Sequence, residues 1–266
     1  MMNQSWRRRH RFYRHLFAAT LFLFAMMALP MPIFRIHLVG GILVQLLLLI
    51  ELGQPIFAIT DGRLSRSARD VLVARVYRLV GAISLLATIC WIFTPASSFV
   101  TGLPLLMVLT FFVFWSLKRL LRLLAREDVI GQEVIWAAVA GYLLLGLSGG
   151  LLFTVLETIH PGSFENLVDV GRHSHAHVLM APDLSQLVWD LDFSRINYFA
   201  FVSLTTVGYG DIVPVTPLAE MASVWLAISG SLYLALVMGL LISRFTVQTQ
   251  QEEELGDQQN NSPPPR

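Results

Sequence analysis

Thr205-Thr206-Val207-Gly208-Tyr209-Gly210-Asp211 is the stretch on which the reading of this chain turns. Glycines stand at alternate positions, and a residue without a Cβ takes positive φ as readily as negative φ. A strand with such residues can turn successive carbonyl oxygens toward one side instead of alternating them. The stretch therefore describes a row of oxygens rather than a side-chain site. Backbone of this kind is tolerated at membrane depth only where it is buried in protein and lines a water-connected pore. The competing reading, a tight Gly-rich turn in an ordinary membrane loop, requires the glycine spacing, the flanking threonines and the aspartate to coincide by chance.

Composition supplies the setting. With 55% hydrophobic residues, 14% charged and a mean hydropathy of +0.63, the chain is too apolar for a soluble protein of 266 residues. Six apolar stretches run approximately over 16–34, 38–59, 76–94, 99–117, 131–156 and 218–243, each near the roughly 20 residues a helix needs to cross the hydrocarbon. The first is interrupted at its end by Pro30 and Pro32, with Arg35 beyond. Residues 5–29 also have the outline of a signal peptide, with Arg7, Arg8, Arg9, Arg11 and Arg14 before a short apolar run. The run ends Met27-Ala28-Leu29-Pro30 without a small-x-small cleavage site, so it is read as a retained first helix.

Basic residues set the orientation. If the N-terminus is cytoplasmic, all but Arg35, Arg172 and Arg195 of the 19 Lys and Arg fall on inner segments, which fits the excess of positive charge on cytoplasmic loops. Both termini are then cytoplasmic, and the loop holding 205–211 lies outside. The outer segments carry Glu157, Glu165, Asp169, Asp183, Asp190, Asp192, Asp211 and Glu220. Their field either raises the local cation concentration or marks a merely solvated loop.

Preceded by Tyr198-Phe199-Ala200-Phe201-Val202-Ser203-Leu204, the heptad resembles the pore helix and selectivity filter of the tetrameric potassium channel family. The resemblance implies an all-α integral membrane protein of six transmembrane helices, with a re-entrant pore helix and selectivity-filter loop between helices five and six. It implies that the carbonyls of Thr206, Val207, Gly208 and Tyr209, with the Thr206 hydroxyl, replace the hydration shell of K+. Thr205 is expected at the filter base, and Gly210 and Asp211 at the mouth. Asp211 is expected to brace a pore-helix aromatic, here Tyr198 or Phe199, with the Tyr198 hydroxyl standing where many members present an indole N–H. One filter copy cannot ring an ion, so a homotetramer is expected. The C-terminal end of the short helix near 194–204 would direct its partial negative charge toward the cation.

The organisation that follows is a four-helix membrane domain with an amphipathic linker over 1–128, a pore domain over 129–246 and a disordered cytoplasmic tail over 247–266. The expected partners are K+ and the lipid bilayer, with no nucleic acid. No cofactor is expected, K+ being the permeant ion. The expected location is the plasma (cell inner) membrane, multi-pass. An enzyme is not indicated, since neither a His-Glu-x-x-His motif nor a phosphate-binding glycine loop is present. The alternative of a different class is a non-conducting membrane subunit that keeps the pore architecture for assembly.

Gly230 lies 22 residues after Gly208, where the family places a gating hinge, although a glycine in a membrane helix serves equally as a close-packing site. Pro217 suits a first helical turn, where its missing N–H is not needed. A voltage sensor needs arginines repeating within the membrane field. Lys118, Arg119, Arg122 and Arg126 instead follow the uncharged run Phe99–Leu117 and mark its cytoplasmic end, with 117–126 reading as an amphipathic interfacial helix. Weak voltage dependence is the expectation. Glu51 keeps the alternative open, since it either pairs with Arg75, Arg78 or Arg119 or snorkels to the interface. His173, His175 and His177 alternate in the outer loop and read either as a weak zinc or copper site or as a solvated His-rich segment. Cys90 is the single cysteine, so no disulfide forms within the chain.

Overall fold

Each of the six apolar stretches overlaps a helix in the computed structural model, which describes residues 4–28, 36–53, 68–93, 99–125, 127, 131–166, 193–247 and 250. The helices are α1 (Gln4–Ala28), α2 (Ile36–Leu52), α3 (Ala68–Phe93), α4 (Phe99–Leu124) and α5 (Gln132–Ile159). A short α6 (Phe193–Leu204) and a long α7 (Pro217–Val247) complete the set. Strands β1 (Phe164–Asn166) and β2 (Ile212–Pro214) form one antiparallel pair, with Phe164 opposite Pro214 and Asn166 opposite Ile212.

Helix boundaries differ from the apolar boundaries for a simple reason. A helix ends at a breaker or a cap, not where hydrophobicity stops. α1 thus runs back through the arginines to Gln4, and α4 continues through Lys118, Arg119 and Arg122 to Leu124. Among the described residues four helices are long and apolar enough to cross a membrane: Val71–Cys90, Leu103–Leu124, Gln132–Ile159 and Pro217–Val247. α1 spends its first half on basic residues, and the described apolar part of α2 is Gly40–Leu52. At about 1.5 Å per residue the 12-residue α6 reaches roughly 18 Å, short of the roughly 30 Å of hydrocarbon.

α5 is the central element. It is 72% buried over its apolar length, against 22% for α7. The cause is its run of small residues, since Ala137, Ala138, Ala140, Gly141, Gly146, Ser148, Gly149 and Gly150 are all buried and let neighbouring backbones approach. Gly146 receives the ring of Phe201, Gly149 the side chain of Leu226, Gly150 the amide of Asn197 and Gly141 the hydroxyl of Tyr233. α1 lies along the same helix, with the Phe17 ring tilted against Trp136 at 4.5 Å and Phe24 edge-on to Phe201 at 4.7 Å.

Apolar contact drives helix association weakly in lipid, so polar links count. Gln45 Nε2 on α2 donates to Ser84 Oγ and Thr88 Oγ1 on α3, each at 3.2 Å. The Tyr77 hydroxyl donates to the Leu48 carbonyl at 3.2 Å and lies 2.7 Å from Ser116 Oγ, joining α2, α3 and α4. Tyr13 donates to the buried Glu127 at 2.7 Å. The hydroxyls of Thr110 and Ser148 bond the carbonyl four residues back, which satisfies them within their own helices.

Candidate functional site

The site begins where α6 stops. The Val207 N–H donates to the Val202 carbonyl at 3.0 Å, and the Thr206 N–H donates to the Ser203 carbonyl at 3.0 Å. These are the six-to-one and five-to-two bonds of a Schellman cap, which requires a left-handed residue just past the helix. Thr206 occupies that position with φ of 59°. The place is usually taken by glycine, and a β-branched residue there costs about 1–2 kcal/mol. The adjacent Thr205 secures the end of the helix, its hydroxyl donating to the Phe201 carbonyl at 2.6 Å.

Beyond the cap the sign of φ alternates. Gly208 and Gly210 have φ of 58° and 77°, whereas Val207 and Tyr209 are not in the left-handed region. Left-handed residues at 206, 208 and 210 give a backbone in which alternate peptides are turned over, the condition for carbonyls to share one side. Added Cβ atoms at Gly208 and Gly210 would meet nothing within 4 Å. Their glycines are therefore needed for backbone conformation rather than for space.

Residues 205–210 are all exposed in the single chain, Tyr209 at 71%. The Tyr209 ring stacks on Tyr198 at 6.4 Å with an interplanar angle of 4°. The Tyr198 phenol lies beside the half-buried Asp211 carboxylate. Of the two candidate braces, Tyr198 therefore faces Asp211. Phe199 turns inward, where Phe153, Phe164 and Phe199 form a triangle of rings with centroids 5.0, 5.4 and 5.5 Å apart.

Gly230 lies against the end of α6, with the Leu204 carbonyl and side chain where its Cβ would be. The contact makes it a close-packing position. α7 changes character just after it, passing through a π-helical segment over Tyr233–Met238. Tyr233 is buried there and donates its hydroxyl to the Ala138 carbonyl of α5 at 2.6 Å. Thr216 caps α7, accepting from Ala219 N at 3.4 Å, with Pro217 in the first turn.

Arg119 packs its guanidinium over the Tyr77 ring at 4.5 Å, so this charge faces the α3–α4 contact rather than open water alone. His173, His175 and His177 lie outside the described residues, as do Asp169, Asp183, Asp190 and Asp192. Among the described residues no group of three or more His, Cys, Asp or Glu is placed to hold a metal ion.

Three features escape a reading of the sequence. The left-handed Thr206 has no local signal, because Thr disfavours that conformation. Asn197 is a buried polar residue on an otherwise apolar helix face; its Nδ2 donates to the Phe193 carbonyl at 2.9 Å and its Oδ1 faces Gly150. Glu157 organises the turn after α5 by accepting from Gly162 N and Phe164 N. A glutamate shortly before Pro161-Gly162 is the available sign.

Residues 173–247 match the family model described as ion channel. The chain is 38% identical over 63 residues to the human potassium voltage-gated channel subfamily A member 10, covering 24% of this chain and 12% of that protein. It is 29% identical over 154 residues to potassium channel K1 of Plasmodium berghei (strain Anka), covering 55% and 7%. It is 38% identical over 58 residues to the potassium voltage-gated channel protein shk-1 of Caenorhabditis elegans, covering 22% and 11%. The matched stretches thus span a small fraction of each relative's length. No solved structure is a significant match.

Proposed function

We propose, from the match of residues 173–247 to the ion channel family and the similarity of the chain to potassium channels, that four copies assemble a potassium-selective pore for passive K+ conduction. The observation that carries this reading is the alternating left-handed backbone at 206, 208 and 210 following the Schellman cap of α6. In this reading Thr206, Val207, Gly208 and Tyr209 supply the ion-facing oxygens. Thr205, Gly210, Asp211 and Tyr198 hold them in place, and α6 is a re-entrant pore helix in a six-span, multi-pass protein.

Two features support four copies. A single row of oxygens cannot surround an ion. The sparsely buried α7 carries large apolar side chains such as Trp225 and Met221 on the surface that a neighbouring copy would cover. Placement in the plasma membrane with cytoplasmic termini rests on the charge asymmetry of the loops.

Opening is proposed to depend weakly on voltage, because Lys118, Arg119 and Arg122 occupy the last two turns of α4. The contact of Arg119 with Tyr77 favours a second reading, a degenerate voltage sensor, in which that charge moves past the ring. Voltage steps separate the two: steep opening that Arg119→Gln makes shallower supports the sensor, and an unchanged open fraction supports the first reading.

The test of the proposal is ion flux in liposomes holding the purified protein. K+ should pass and Na+ should not, and Gly208→Ala should abolish the difference or the flux. Equal fluxes of the two ions in the native chain would refute it, and absence of flux at any voltage would favour a non-conducting pore-like subunit.

A further inference from the structure

We infer that Asn197 is a positioning residue that sets the register of α6 against α5, and with it the height of the filter; the inference rests on the potassium-pore reading above. α5 carries two notches one turn apart among its buried residues, at Gly146 and Gly150. The Phe201 ring fills the first and the Asn197 amide the second. Phe201 follows Asn197 by one turn of α6. Two side chains thus enter two notches, pair by pair, between helices that run in opposite directions.

Notches one turn apart leave Phe201 a choice. Its ring would meet a glycine at either of them, and a slip of one turn moves α6 by about 5.4 Å along α5. Asn197 removes the choice by occupying Gly150. In the slipped register position 197 would face Thr154, which offers no notch and whose hydroxyl is committed to the Gly150 carbonyl at 2.8 Å. On the α7 side the same slip is opposed by Leu204, seated at Gly230.

The chemistry of the side chain points to register rather than to stability. Asn197 is 1% exposed, and its Nδ2 donates to the Phe193 carbonyl at 2.9 Å, which fixes the amide against its own helix. Its Oδ1 lies against Gly150 and accepts no hydrogen bond among the described residues. A buried acceptor without a donor costs free energy, more so at membrane depth. Single buried asparagines fix the register of packed helices at a cost of this kind. Register matters here because the filter hangs directly from α6. The Thr206 and Val207 N–H groups donate to the Ser203 and Val202 carbonyls, so an axial shift of α6 carries the first ion-facing oxygens with it.

The test uses the full chain reconstituted in a planar bilayer with K+ and Na+ opposed, and reads the K+ over Na+ permeability ratio from the reversal potential. Asn197→Ala vacates the second notch and should lower the ratio about tenfold, a loss within the range of couplings between touching residues. Gly150→Ala sets a methyl group against the amide and should lower the ratio likewise or prevent assembly. The two together should restore the ratio to within about threefold of the native value, because the new methyl group closes the notch that the missing amide leaves. Mutual rescue separates register from general stability, since independent destabilising changes add. A native ratio in either single variant, an additive loss in the double variant or its failure to assemble overturns the inference and leaves the pore reading standing. A native chain that does not favour K+ overturns both.

Discussion

Replacing Gly230 by alanine asks whether this position bends or packs. The Cβ would meet the carbonyl oxygen and side chain of Leu204, the last residue of α6, and a backbone oxygen at the base of the filter has little freedom to withdraw. Overpacking of this sort costs about 1–3 kcal/mol, and contact with backbone rather than a flexible side chain places it in the upper half of that range. Alanine gains about 1 kcal/mol over glycine inside a helix. The net destabilisation is therefore about 1–2 kcal/mol. Gly239, further along the same helix, serves as the control, since its Cβ would meet nothing within 4 Å. Gly239→Ala should be neutral or stabilising by up to about 1 kcal/mol. Thermal dissociation of the detergent-solubilised assembly reads the difference. At about 2–4 °C per kcal/mol for a chain of this size, Gly230→Ala should lower the midpoint by about 2–8 °C while Gly239→Ala does not. A Gly230→Ala assembly as stable as the native one, with altered opening alone, would refute the packing argument and favour the hinge.

Two further substitutions address the filter. Tyr198→Phe removes the hydroxyl that reaches Asp211. Tyr198 is 40% exposed, so the effect should be modest and K+ currents should run down somewhat faster than in the native chain; unchanged currents would remove Tyr198 from the brace. Thr206→Gly relieves a left-handed β-branched residue and should raise thermal stability by about 1 kcal/mol while weakening K+ over Na+ discrimination, because the hydroxyl is lost. Lower stability would count against the strain assigned to Thr206.

The helices were legible because an apolar run of roughly 20 residues carries length and composition together. Their ends were not. Nothing between Gln4 and Ala28 breaks a helix, so α1 extends through its arginines, and the same holds for Lys118 to Leu124 in α4. Positive φ at Gly208 and Gly210 was readable from residue type. Positive φ at Thr206 was not, because it depends on where α6 ends. The β1–β2 pair left no trace in the sequence, three residues per strand being too few to show alternation. The π-helical turn at Tyr233–Met238 was equally silent, since it accompanies the packing of Tyr233 against Gly141 and Ala138 on α5.

The most direct test of the central claim is the reversal potential of the reconstituted chain in a planar bilayer. With a tenfold K+ gradient balanced by Na+ on the opposite side, a potassium-selective pore should reverse near the K+ equilibrium value, about 59 mV from zero. Reversal close to zero would show that the filter does not distinguish the two ions, and would contradict the account.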